Sequence, residues 1–188
     1  MSIPFKKRGD GRSVLVAAAR LEFEEFGFEG TNSNAIARRA GYAPQTFYRH
    51  FQDKRAIFLA VYEDWSRQEI LALETAQSAD QIADTLIAHH RTHRVFRQSL
   101  RNLTVTDPDV GSARARVRQT QVGALSAQSS VFAAMGASQR ITTIFTVERI
   151  CDAIVDGEYA ALGVEPSQSR QCLIDVLVGF GLLADQVR

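Results

Sequence analysis

The sequence predicts an all-α protein, with an N-terminal three-helix segment of helix-turn-helix layout and a larger helical body behind it. Three observations carry this. Apolar residues recur at helical spacing along most of the 188 residues, and only short pieces such as "LTVT" (103–106) alternate as a strand would. The four prolines stand at 4, 44, 108 and 166, and the last three sit where helices can begin. The stretch "AGYAPQTFYRHF" (residues 40–51) sets a glycine turn before a short helix crowded with side-chain donors and aromatics. A core helix would carry Leu and Ala there, and a plain solvated helix Glu and Lys.

The elements follow in order. A first helix over about 12–26 aligns Leu15, Val16, Ala19, Phe23 and Phe26 on one stripe, and Gly27 ends it. A short second helix over about 32–40 has Thr31 as its expected N-cap, with Ile36 and Ala37 facing inward. Gly41 supplies the turn, and a third helix opens at Pro44 and ends near Phe51. Asp53 caps a fourth helix over about 54–74. Further helices are expected over 80–103, from Pro108 through "SARARVR" (112–118), over 139–162 and over 167–187. A Gln/Ser/Ala-rich stretch (119–131) leads to Phe132 and Met135, with Gly136 as a break.

Composition narrows the class. Apolar residues make up 45% and charged residues 23%, as in an ordinary folded domain. Cys151 and Cys172 lie in apolar surroundings without CxxC spacing and read as buried thiols of a reducing compartment. With no signal peptide and no apolar run of membrane-spanning length, the expected location is the cytoplasm, with no membrane partner. The net charge of +1 hides an asymmetry. Residues 1–60 hold ten Lys/Arg against six Asp/Glu, beginning with the basic arm Lys6, Lys7 and Arg8, while the rest is mildly acidic. Any polyanion-facing part is therefore N-terminal.

In a helix-turn-helix the second helix enters the DNA major groove. Packing Ile36, Ala37 and Ala40 against Phe47 and Phe51 turns Gln45, Thr46, Tyr48, Arg49 and His50 outward or sideways. Gln can pair with adenine edges, Thr with a thymine methyl or a phosphate, and Tyr, His and Arg with phosphates. Thr31 and Lys54 stand near helix N-termini, which favour phosphate oxygens.

The pattern T-x-x-x-x-I-A-x-x-A-G-Y-A-x-x-T-F-Y-x-H-F-x-x-K (31–54), after F-x-x-x-G-F-E-G-T (23–31), resembles the DNA-binding domain of TetR-type (tetracycline-repressor-like) transcriptional regulators over roughly residues 12–58. The resemblance implies a DNA-binding domain over 1–55 and an effector-binding and dimerisation domain over 56–188. It makes the helix from Pro44 the recognition helix, matches Thr31, Tyr48, His50 and Lys54 to phosphate contacts, and places Gln45, Thr46 and Arg49 within reach of bases or backbone. Two departures stand out: Ala43 replaces the usual capping Ser, and Gln45 replaces a common Gly.

The body is read from residues alone. Ile82, Leu86, His89, His93, Phe96, Leu100 and Leu103 share one 4-3-4-3 stripe, which puts two histidines on an apolar face one turn apart. Three readings of the pair stand side by side: satisfied core histidines, polar anchors of an effector pocket, or two ligands of a metal ion. Trp65, Phe132, Met135 and Phe145 are candidate pocket walls, and Phe96 and Arg97 flank the histidines. The effector expected there is small, largely hydrophobic, and carries an acceptor or anionic group. The arginines 91, 94, 101, 114, 116 and 118 form a patch that is either solvated or anion-facing. The last two helices are apolar on more than one side and predict a homodimer.

The function expected from all this is a ligand-responsive repressor on a palindromic double-stranded DNA operator, with neither an enzyme's machinery nor a cofactor. An enzyme or metal protein built on His89/His93, and a helical protein-binding adaptor, are the alternatives.

Overall fold

The computed structural model describes residues 10–182; the basic arm and the end of the expected last helix, including Leu183 and Val187, lie outside them. Among the described residues the regular structure is helical throughout: α1 Gly11–Phe26, α2 Ser33–Arg39, α3 Pro44–Tyr48, α4 Lys54–Glu74, α5 Ala79–Thr92, α6 Arg94–Thr106, α7 Pro108–Gln128, α8 Ser130–Ala134, α9 Ala137–Asp156, α10 Glu158–Ala161 and α11 Pro166–Gly179. None of these helices is long and apolar enough to cross a membrane.

Two compact units divide the chain, residues 10–66 with 95–111, and 67–94 with 112–182. The boundary expected after residue 55 matches no break, because α4 runs unbroken from Lys54 to Glu74.

The first unit is built around rings. Phe23 of α1 meets the Phe58 edge at 5.1 Å, Phe58 stacks on Phe96 at 4.5 Å, and Phe28 meets Phe58 at 5.1 Å. Trp65 stacks on Tyr62, and the Arg97 guanidinium lies 5.1 Å from the Trp65 ring centroid. Offset and edge-on contacts of this kind stabilise beyond the area they bury. Arg55 reaches Asp107 and Asp109 and fastens the start of α4 to the α6–α7 turn. Desolvation opposes ionisation of Asp107, but the Val110 and Asp109 amides and Arg55 outweigh it and hold its carboxyl below the ordinary range.

In the second unit α5, α9 and α11 pack on one another around Ala83, Leu86, Ile87, Cys151, Leu173 and Leu177. Arg170 bonds Asp80 and Asp84, tying the N-terminal part of α11 to that of α5. Its hydrogen bond lowers the Asp84 carboxyl below its usual range.

Several expectations are corrected here. The N-cap of α2 is Asn32, whose side chain accepts from the Ala35 amide, in place of Thr31. The single helix expected over 80–103 is two helices that break at His93, where φ is −105° and ψ 23°. No Pro or Gly marks the spot; the Thr92–His93 pair contributes little helix propensity, so packing decides the direction. Beyond the break, Phe96 and Arg97 join the ring cluster of the first unit. The helix expected over 139–162 stops at Asp156 because Gly157 takes the left-handed conformation, φ 83°. Cys172 is exposed, not buried, while Cys151 is buried.

The ring cluster generates one prediction. Phe58→Ala removes the ring that Phe23, Phe28 and Phe96 all touch and should cost about 3–5 kcal/mol. Urea unfolding measures it, and a loss below about 1 kcal/mol would mean that the cluster does not organise this unit.

Candidate nucleic-acid interface and ligand cavity

The helix-turn-helix is assembled from short-range chemistry. The Tyr42 amide donates to Ala37 O (2.9 Å) and the Gly41 amide to Arg38 O (3.0 Å), the paired bonds that close a helix through a left-handed residue. Gly41 has φ 77°, which only glycine adopts without strain. After the turn, Ala43 caps α3 without a side-chain bond, and Pro44 at the first helical position fixes the entry angle.

One face of α3 is buried and the other bare. Phe47 is fully buried, and its ring meets Tyr48 at 5.3 Å and Phe51 at 5.9 Å. Pro44, Gln45, Tyr48, Arg49 and His50 are exposed, and Thr46 is half-buried. His50 is directed toward the start of α1: a Cβ built on Gly11 would lie 2.8 Å from its Nε2. The exposed Arg38 and Arg12 add positive charge to the same unit.

Thr31 and Lys54 are engaged within the protein. Thr31 is buried, and its hydroxyl donates to Glu22 Oε2 at 2.6 Å. Glu22 Oε1 accepts from Arg39 Nε, also at 2.6 Å, and Arg39 reaches Glu25 as well. The bond to Glu25, followed by Glu22, raises the Arg39 guanidinium above its ordinary value. Lys54 Nζ donates to Phe28 O (2.7 Å) and Thr31 O (3.1 Å) and lies 4.1 Å from the Phe28 ring centroid. A buried carboxylate and one ammonium thus clamp the α1–α2 loop, and so set where α2 and α3 stand.

A separate cavity of about 80 Å³ lies inside the second unit. Its apolar wall comes from Ile70, Leu73, Ile82, Leu86, Leu125, Ile144, Val147, Leu177 and Leu182, and its polar lining from Glu69, His90, Gln121, Gln128, Thr143 and Glu148. His90 is buried, with Nδ1 3.0 Å from Asp152 Oδ1 and Nε2 3.8 Å from Glu69 Oε1. Glu148 accepts from Arg114 (2.9 Å) and Arg118 (2.6 Å).

None of the seven residues expected to bind an effector lines this cavity. Trp65, Phe96 and Arg97 belong to the ring cluster of the first unit. Phe132 is fully buried in the core, and Phe145 is 47% exposed with Arg118 4.4 Å from its ring centroid. His89 Nδ1 is 3.3 Å from Glu69 Oε1, and the buried His93 meets the His89 ring edge-on at 4.7 Å. The face of α5 that opens on the cavity carries Ile82, Leu86 and His90, spaced by four and four. The 4-3 stripe through His89 is an equally good helical pattern, and one residue of register separates His89 from the imidazole that lines the cavity. Among the described residues, no group of three or more His, Cys, Asp or Glu is arranged to hold a metal ion.

Residues 15–61 match the family model of bacterial regulatory proteins, tetR family. The HTH-type transcriptional regulator UidR of Escherichia coli K12 is 28% identical over 180 residues, spanning 93% of this chain and 80% of that protein. The HTH-type transcriptional regulator YdgC of Bacillus subtilis is 29% identical over 105 residues, and the match spans about half of each, 53% of this chain and 54% of that one. Among solved structures, Salmonella enterica GusR superposes with a TM-score of 0.70 at 18% identity, covering 94% of this chain and 98% of that chain. A regulatory protein of the tetR family from Rhodococcus RHA1 superposes with a TM-score of 0.61 at 16% identity, covering 94% and 100%. Over residues 15–61 the chain thus matches the TetR family of bacterial regulatory proteins, and along most of its length it is similar to helix-turn-helix transcriptional regulators and shares their fold.

Proposed function

We propose that the protein is a dimeric repressor that holds a palindromic operator and releases it when a small molecule enters the cavity of the second unit. The observation that carries the DNA half is the face of α3, where Pro44, Gln45, Tyr48, Arg49 and His50 stand exposed over a buried Phe47. A helix so presented can lie in the major groove with its N-terminal side chains on base edges. Gln45 and Thr46 discriminate bases; Tyr48, Arg49 and His50 hold the phosphate backbone. Thr31 and Lys54 serve the same surface indirectly, by fixing the loop that carries it.

The dimer forms through α9 and α11. Apolar residues left bare on these helices support this: Phe145 is 47% and Val178 53% exposed. Two copies then present their recognition helices roughly 34 Å apart, one turn of DNA. Ligand binding favours a conformer with different spacing, and a coupling of about 1–3 kcal/mol suffices for a useful response. The protein works in the cytoplasm, where its operator is.

Two tests follow. In gel shifts over a salt series, Gln45→Ala should change which operator positions matter, by about 1–3 kcal/mol per base contact, and Arg49→Ala should lower the salt slope by about one. Lys54→Met should weaken binding with the salt slope unchanged, because it loosens the clamp without removing a phosphate contact. A slope lowered by Lys54→Met would return that lysine to the DNA backbone, and an unaltered base preference in Gln45→Ala would remove Gln45 from readout. Second, light scattering of the wild type should give twice the mass of the chain, and Val178→Asp should give a folded monomer. A wild-type monomer at micromolar concentration would end the dimer reading.

A further inference from the structure

The charged groups that line the cavity are already committed to partners within the protein, and we infer from this that the ligand is a small uncharged aliphatic molecule held by burial alone. The inference rests on reading the cavity as the effector site and names the class of molecule that enters it.

Charge in the lining is spent in pairs. Glu148 accepts from Arg114 at 2.9 Å and from Arg118 at 2.6 Å. Glu69 Oε2 accepts from Gln121 Nε2 at 3.1 Å, and Glu69 Oε1 faces His89 Nδ1 at 3.3 Å and His90 Nε2 at 3.8 Å. The other ring nitrogen of His90 stands 3.0 Å from Asp152 Oδ1. The neutral polar groups offer little more. The Thr143 hydroxyl proton goes to Gln139 O at 3.0 Å, and Gln121 Oε1 is itself buried, with no surface for a ligand atom to touch. Gln128, at the end of α7, brings no charge.

What remains is aliphatic. Ile70 of α4, Leu86 of α5, Leu125 of α7, Ile144 of α9 and Leu177 of α11 all face the cavity, and among the described residues its lining holds no Phe, Tyr, Trp, Lys or Arg. A charged ligand of either sign would leave water for this wall and find each carboxylate occupied. It would lose its hydration without compensation or break a pair that holds the unit together. An uncharged aliphatic molecule meets neither cost and gains in proportion to the apolar surface it takes out of water. The acceptor or anionic group expected on the effector from the histidine stripe is absent from a ligand of this class. Size limits the molecule to a few carbons, since about 80 Å³ is roughly half the 150 Å³ of an engineered apolar cavity that accepts benzene.

The test uses three probes of one shape: cyclopropane, cyclopropylammonium and cyclopropanecarboxylate. Each is added to the full chain at constant ionic strength and followed by the amide NMR shifts of Leu86, Leu125 and Ile144. Cyclopropane should bind roughly tenfold or more tightly than either ion, which is a modest share of the cost of desolvating an unpaired charge. Ala124→Phe, which fills the cavity from α7, should abolish the cyclopropane response. Should Ala124→Phe fail to fold, the wild-type series decides alone. Either ion binding as tightly as cyclopropane, an unchanged cyclopropane response in a folded Ala124→Phe, or no response to any probe would overturn the inference. DNA affinity of the same samples without probe separates the two readings. Intact DNA binding beside a failed preference for the uncharged probe sinks only the ligand class, and absent DNA binding beside a clear preference sinks only the repressor.

Discussion

The Glu22 carboxylate is the constraint on which the DNA-facing unit depends. It sits buried on α1 and holds two partners, the Thr31 hydroxyl of the following loop and the Arg39 guanidinium at the end of α2. A buried carboxylate is tolerable only when its oxygens are occupied, so Thr31 and Arg39 cannot leave without exposing a large electrostatic cost. This converts a flexible loop into a fixed offset between α1 and α2. The Gly41 turn then passes that offset to α3 with little freedom, because two backbone bonds and the Pro44 ring define the path. Lys54 closes the arrangement from α4 by capping carbonyls on the same loop.

The second unit solves a different problem. It buries charge beside apolar wall and keeps an opening. Glu69 is 4% exposed and gathers Gln121 and His89 around it, while His90 bridges toward Asp152. These polar groups stand against Leu86, Ile144 and Leu177, so the cavity has a polar side and an aliphatic side. The two arginines on Glu148 satisfy that carboxylate from outside the lining.

What the sequence made legible was local. Gly41, Pro44 and the Phe47/Phe51 pair announce the turn and the buried face of α3 through backbone freedom and spacing, and Asp53 caps α4 by accepting from the Ala56 amide as expected. The long-range pairings were hidden. Nothing in the order of residues reveals that Thr31 bonds Glu22 rather than capping α2, since Thr and Asn are both good caps and stand side by side. The break at His93 carries no proline or glycine, so the stripe through His89, His93 and Phe96 looks continuous in the sequence, although the chain turns there and Phe96 packs in the other unit. His90, which lines the cavity, stands four residues after Leu86 and was not singled out. The bond from Gln121 to Glu69 gave no signal, because α7 carries no clear apolar stripe and the two residues lie far apart in the chain.

Amide hydrogen exchange of the wild type and Glu22→Gln measures most directly whether the buried carboxylate sets the position of the recognition helix. Losing the charge-assisted bonds should speed exchange of α2 and α3 amides by roughly ten- to a hundredfold, the equivalent of about 1–3 kcal/mol, and leave α9 and α11 untouched. Equal protection of α2 and α3 in the two proteins would contradict it.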